Sequence, residues 1–85
     1  ILYTPTFIKS YSKLDKEIKD QAKRRIELFK DKKNHKILDV HKLNGRLKDK
    51  YSFSVNYGYR IVFNYENNKN KAIFLNIGNH KIYDL

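Results

Sequence analysis

Residues 41–65, HKLNGRLKDKYSFSVNYGYRIVFNY, constrain this chain most. Tyr51, Phe53 and Val55 alternate with Ser52, Ser54 and Asn56, which is the period of a half-buried strand. Tyr57-Gly58 then turns the chain. Ile61, Phe63 and Tyr65 alternate with Arg60, Val62 and Asn64 in a second strand, and a basic loop centred on Gly45 feeds the pair. A chain built on this stretch forms an antiparallel sheet with one apolar face, and its remaining segments have to cover that face.

They are the right kind to do so. Residues 1–3 are a short apolar run, predicted as an edge or central strand, and Thr4-Pro5 supplies an N-cap and an N1 proline for a helix running to about Lys13. Phe7, Ile8, Tyr11 and Leu14 make one apolar stripe on it, predicted to lie in the core. Asp15 is positioned to cap a second, longer helix with Glu17 in its first turn, and the period continues through Ile18, Ala22, Ile26 and Phe29 to an end near residues 31–34. Asp15 with Lys19 and Asp20 with Arg24 stand four apart, so the charge of this helix largely compensates itself. Residues 66–70, with three asparagines, are a hairpin loop before a third strand over residues 72–77. Nearly all apolar, that strand is expected to lie centrally in the sheet, covered on both faces. Gly78-Asn79 ends it.

Strand, helix, helix and three meander strands give an α+β domain, with two N-terminal helices packed on one face of a small, mainly antiparallel sheet. Tyr51, Phe53, Val55, Ile61, Phe63, Ile73, Leu75 and Ile77 are expected to point towards the helices. Ser52, Ser54, Arg60 and Asn64 are then left on an open polar face, the candidate site. At 85 residues the chain is expected to form one domain over residues 1–85, near the size where a single core only just suffices, so a binding partner would help it.

Composition narrows the chemistry. With no cysteine there is neither a disulfide framework nor a thiolate metal site, which favours the cytoplasm, and no apolar run approaches the roughly 20 residues that cross a bilayer. No signal peptide is evident. The chain starts at Ile1 rather than methionine, as expected if a few residues precede it. A net charge of +10 suits RNA, DNA, the ribosome or an acidic protein, and does not choose among them. A solvated lysine-rich surface has the same composition. Position separates the two: over residues 32–50, Lys32, Lys33, Lys36, Lys42, Arg46, Lys48 and Lys50 face only Asp39 and Asp49. A dense positive patch beside a strand holds a polyphosphate backbone through salt-dependent contacts that are indifferent to sequence. A mobile basic loop without a ligand is the alternative.

Arg60 is the most informative single residue, because an arginine amid apolar strand residues costs energy unless it meets an anion. Pairing with a carboxylate such as Glu66 or Asp84 would satisfy it equally well. Of the three histidines, His35 falls at the helix-to-loop junction and is expected at the surface, His41 opens the basic loop, and His80 follows the glycine that ends the last strand. Each alone is more often structural than catalytic. No His/Asp/Glu spacing resembles a metal-ligand set, and there is no phosphate-binding glycine loop or nucleophile elbow, so no cofactor or metal is expected.

Taken in order, TPTFIKSYSKL, HKLNGRLKDKYSFSV, YRIVF and IGNHKIY resemble the toxins of the RelE/ParE superfamily from type II toxin–antitoxin pairs, over nearly the whole chain. The resemblance implies a curved sheet under two helices. It also implies ribosome-dependent mRNA cleavage, as in many members, or gyrase inhibition without nuclease chemistry, as in the ParE branch. Arg60 matches the strand arginine that stabilises the scissile phosphate in RelE-like nucleases. His80 takes a position held by arginine in RelE proper and by histidine in the YafQ branch, and His41 in HKLNG aligns with a YafQ histidine. Tyr83 resembles a carboxyl-terminal aromatic near the site, at a shorter spacing from Gly78 than in RelE proper. Ser52 and Ser54 stand where RelE proper has two lysines, and a further histidine and aspartate of YafQ have no clear counterpart.

The resemblance thus implies an mRNA interferase, with His41 and His80 as proton-transfer groups and Arg60 with Lys42 or Arg46 as charge stabilisers. Tyr83 would orient or stack on a base, and Lys42, Arg46, Lys48, Lys50, Ser52 and Ser54 would hold RNA. Its expected partners are a cognate acidic antitoxin of the RelB kind, forming a hetero-oligomer, and the ribosome with its mRNA. No membrane is involved. A ParE-like gyrase inhibitor and a catalytically inactive member that only binds its antitoxin and operator are the rivals; Ser52 and Ser54 in place of lysines favour them, whereas two histidines and an arginine on one face favour the nuclease.

Overall fold

The computed structural model describes residues 1–66 and 68–83, the side chain of His80 excepted. Five strands, β1 (Leu2–Tyr3), β2 (His41–Lys42), β3 (Tyr51–Ser54), β4 (Arg60–Glu66) and β5 (Lys71–Gly78), form one sheet in the order β1-β5-β4-β3-β2. Only the β1–β5 pairing is parallel. Helices α1 (Pro5–Ser12) and α2 (Lys16–Phe29) cover one face.

The helix starts follow the sequence. The Thr4 side chain accepts from the Phe7 amide at 3.1 Å, with Pro5 at the first helical position. Its hydroxyl also donates to the Phe74 and Leu75 carbonyls, both at 3.0 Å, so one residue caps α1 and ties it to β5. Asp15 occupies the N-cap of α2, but its side chain makes no capping bond. The i,i+4 ion pairs expected along α2 do not form among the described residues. Lys19 instead lies over the Tyr11 ring, and the helix's ion pair is Lys30 with Glu27 at 2.8 Å.

Phe29 centres the core, with ring contacts to Phe53, Phe63 and Phe74 between 4.8 and 5.4 Å. Truncating such a buried ring typically costs about 3–5 kcal/mol. Phe7, Ala22 and Ile26 complete the helix contribution. Ile8, expected in the core, is 57% exposed, because the stripe of α1 that meets the sheet is narrow and Phe7 takes its centre.

Two further expectations are corrected by the sheet. Ile73 and Leu75 do not face the helices; Ala72 and Phe74 do. Val62 pairs with Asn76 while Phe63 pairs with Phe74, so Leu75 is the extra residue of a β-bulge that reverses the alternation and lets Phe74 and Ile77 share a face. The opposite face is not fully open either. The 3₁₀ turn His80–Tyr83 lies against it, burying Ile82, Val62 and Ser52. β5 is interior but not central as expected; β4 holds the sheet's centre, because the short parallel β1 is the only strand beyond β5.

Candidate active site

Cross-strand partners share a face, so the register specifies what stands together. Ser54 lies opposite Arg60 and Arg60 opposite Gly78; one row along, His41, Ser52, Val62 and Asn76 form a line across four strands. This is the face away from the helices, and it gathers His41, Ser52, Ser54 and Arg60.

Arg60 is delivered by the turn before it. The Asn56 side chain accepts from the amides of Gly58 and Tyr59 at 2.8 and 2.9 Å, and the Val55 amide donates to the Tyr59 carbonyl, which closes the bend and starts β4 at Arg60. From the helix side, Arg25 Nε donates to the Ser54 carbonyl at 3.0 Å and Asn56 donates to Gln21. Arg60 itself is half-buried, and among the described residues no carboxylate comes within ion-pair distance of it. Glu66, one of its expected alternative partners, is six residues further along the same strand, about 20 Å away. Asp84, the other, lies outside the described residues.

His41 was expected in a loop and sits instead on β2, a two-residue edge strand whose signal was too short to register as alternation. Its Nδ1–H donates to the Asp39 carbonyl at 2.8 Å. A carbonyl can only accept, so in the neutral ring this bond fixes the tautomer and leaves Nε2 as an acceptor towards solvent. The Asp39 carboxylate stands 3.8 Å from Nδ1, and Asp39 itself adopts a left-handed φ of 60°. Asp39 is the site residue that sequence reasoning missed; its place two residues before His41 was the available signal.

The Tyr83 hydroxyl donates to Ser52 Oγ at 3.1 Å, which ties the terminal turn to the face that carries His41 and Arg60. Ser52 is 0% exposed, so it meets no ligand directly, contrary to its expected place on an open surface. The Ser54 hydroxyl donates to the Asn56 carbonyl and braces the turn. Asn64 also lies on this face and holds a buried Oδ1 without a hydrogen-bond partner among the described residues. His80 begins the terminal 3₁₀ turn, but its side chain, and with it the expected proton transfer, lies outside the described residues.

The basic loop flanks this face. Gly45, at φ 69°, makes a bend that other residues rarely adopt, and the Leu43 amide donates to the Lys50 carbonyl at 2.8 Å to close it. Arg46 and Lys48 are exposed and Lys50 is half-buried. Lys42 pairs with Tyr51 and so belongs to the helix-side face, away from Arg60. Among the described residues no group of His, Asp or Glu is placed to hold a metal ion, and no helix is long and apolar enough to cross a membrane.

Two helices on one face of a bulged, mostly antiparallel open sheet, with basic and proton-carrying groups gathered on the other, define a RelE-like fold. The toxin–antitoxin complex RelB–RelE from Methanococcus jannaschii is similar over 99% of this chain and 96% of that one, at TM-score 0.75 and 24% identity. The YoeB–YefM complex from Staphylococcus aureus is similar over 93% of each chain at TM-score 0.71 and 17% identity. The RelBE2 complex from Mycobacterium tuberculosis matches over 92% of this chain and 93% of that one, at TM-score 0.67 and 16% identity. No curated protein sequence matches significantly. The sequence profile of the HigB-like toxins, described as RelE-like toxins of type II toxin–antitoxin system HigB, matches residues 7–78. The chain belongs to this family of type II toxins.

Proposed function

We propose that this toxin is a metal-independent mRNA interferase that acts in the cytoplasm on ribosome-bound transcripts. The 2′-hydroxyl of one nucleotide attacks its own 3′-phosphate. A bond forms between the 2′-oxygen and phosphorus, the bond to the next nucleotide's 5′-oxygen breaks, and a 2′,3′-cyclic phosphate results. His41 Nε2 takes the 2′-hydroxyl proton, Arg60 stabilises the charge of the pentacoordinate phosphate, and His80 returns a proton to the departing 5′-oxygen. Tyr83 positions the nucleotide and is itself positioned by Ser52, which acts through it rather than by touching RNA. Arg46, Lys48 and Lys50 hold the flanking backbone, with Lys42 on the strand's other side reaching phosphates further along.

The observation that carries this assignment is the hydrogen bond from His41 to the Asp39 carbonyl, because it leaves the outward nitrogen of the neutral ring as a base on the same face as Arg60, which has no carboxylate within ion-pair distance among the described residues. Titrating purified ribosomes and a short translated message with wild type, His41→Gln and His80→Gln tests it. Each variant is expected to cut roughly 10²–10⁴-fold more slowly while still binding ribosomes. Wild-type cutting by His41→Gln would remove His41 from the chemistry, and wild-type cutting by His80→Gln would remove His80.

An acidic antitoxin of the RelB kind is the proposed partner, since complementary charge and an added helix or strand would cover this basic chain. A second reading is favoured by one observation: Ser52 is buried and the Ser54 hydroxyl is turned back on its own chain, so β3 offers no cation to a phosphate. A ParE-like inhibitor that blocks gyrase by contact, or an inactive member, needs none.

A further inference from the structure

On the helix side, far from Arg60, a cleft of about 220 Å³ opens between the end of α2 and the β4–β5 hairpin. Phe29, His35 and Tyr65 contribute aromatic lining, and Lys30, Lys32 and Lys69 contribute charge. We propose that this cleft is a second RNA contact, which takes one unpaired nucleotide at a distance from the scissile bond, with its base on His35 and its phosphates on Lys32 and Lys69.

The ring geometry favours a base. Phe53, Phe29 and His35 form a continuous stack, with centroids 4.8 and 4.6 Å apart and both interplanar angles 16°. Phe53 and Phe29 are buried, so the stack begins in the core and ends on an imidazole at the cleft. His35 Nε2–H donates to the Phe29 carbonyl at 2.8 Å, which locks the ring and leaves Nδ1 as an acceptor for an exocyclic amine or a 2′-hydroxyl. His35 is partly exposed and borders the cleft, and among the described residues no second ring stacks on it. A rigid aromatic platform beside cations is how single strands are held without sequence preference.

The charges are unequal. Lys30 is already committed to Glu27, which holds its pKa above the ordinary value through their hydrogen bond and ion pair. Lys32 has no carboxylate within ion-pair distance among the described residues, and Lys69 is steadied over the Tyr51 and Tyr65 rings at 5.9 and 5.7 Å. These two point charges, with no acid lining the cleft among the described residues, match a phosphate backbone. An acidic peptide would satisfy the lysines but leave the imidazole platform unused.

This inference rests on the RNA reading of the toxin but is measured apart from cleavage. In full-length protein carrying Arg60→Ala, so that RNA is not consumed, the His35 ring protons are followed by NMR while hexa-adenylate is added. They are expected to shift upfield as a base stacks. His35→Ala should weaken binding roughly 5- to 20-fold, and His35→Phe, which keeps the platform and controls for folding, should restore most of it. Lys32→Gln with Lys69→Gln should lower the salt slope of binding by about 1.4. In an otherwise wild-type background the same lysine pair should leave the positions of any RNA cuts unchanged. Unmoved His35 signals, an unchanged salt slope, or signals that respond only to a glutamate-rich peptide would each overturn the proposal.

Discussion

Replacing Tyr83 by phenylalanine removes one oxygen and tests whether the terminal turn belongs to the site. In the folded protein that hydroxyl is a donor to Ser52 Oγ at 3.1 Å, and Ser52 has no access to water. A neutral hydrogen bond contributes only about 1 kcal/mol net, but stranding its buried partner costs about 1–3 kcal/mol, so the larger figure applies to Tyr83→Phe. Ser52→Ala is the milder change, near 1 kcal/mol, because Tyr83 is only half-buried and its hydroxyl can turn to water. For a domain of this size each kcal/mol shifts the melting temperature by about 4–8 °C. Tyr83→Phe should therefore lower it by roughly 4–24 °C, read by circular dichroism at 222 nm. The double variant should be no worse than Tyr83→Phe alone, giving a coupling energy of about 1 kcal/mol in the cycle. Strict additivity, or an unchanged melting temperature for Tyr83→Phe, would show that the turn does not hold Tyr83 on the sheet.

Two other outcomes are expected. Lys48→Gln with Lys50→Gln should weaken ribosome or RNA binding uniformly across sequences and flatten its salt dependence, while thermal stability hardly changes; unaffected binding at every salt concentration would make the loop a solvated surface. Burial, and secondarily Tyr51, raises the pKa of Tyr65 above the ordinary 10, so the folded state resists its ionisation. That contribution is fully present below the unfolded pKa and lost as pH rises through the folded one, so melts should fall in alkali. Tyr65→Phe should reduce the decline, and an identical pH profile for the two proteins would refute it.

Where the sequence carried a strong local signal, the fold was legible. Thr4-Pro5, the α2 stripe and the alternation of β3 and β4 each put a physical preference at the right residue, and the structure uses all three. β5 was legible as a strand but not in its facing, because KAIFLNIG is apolar at both parities and only the bulge at Leu75 chooses between them. Leu38 was invisible for a different reason: it lies in irregular chain between α2 and β2, yet it is fully buried and accepts the Ser54 amide at 2.8 Å. Periodicity cannot report a lone anchor. In the site, Arg60 stood out as a charge among apolar strand residues. The bonds that give the other groups their roles run from His41 to a backbone carbonyl two residues back and from Tyr83 to Ser52 across 31 residues, and neither leaves a periodic pattern.

The most direct test of the central claim is primer-extension mapping of cellular transcripts after brief induction of the wild-type toxin and of Arg60→Ala. The account predicts discrete cuts inside translated frames for wild type, and their loss in a folded Arg60→Ala protein. Transcripts left intact by wild type, with gyrase supercoiling blocked instead, would contradict the nuclease assignment and establish contact inhibition in its place.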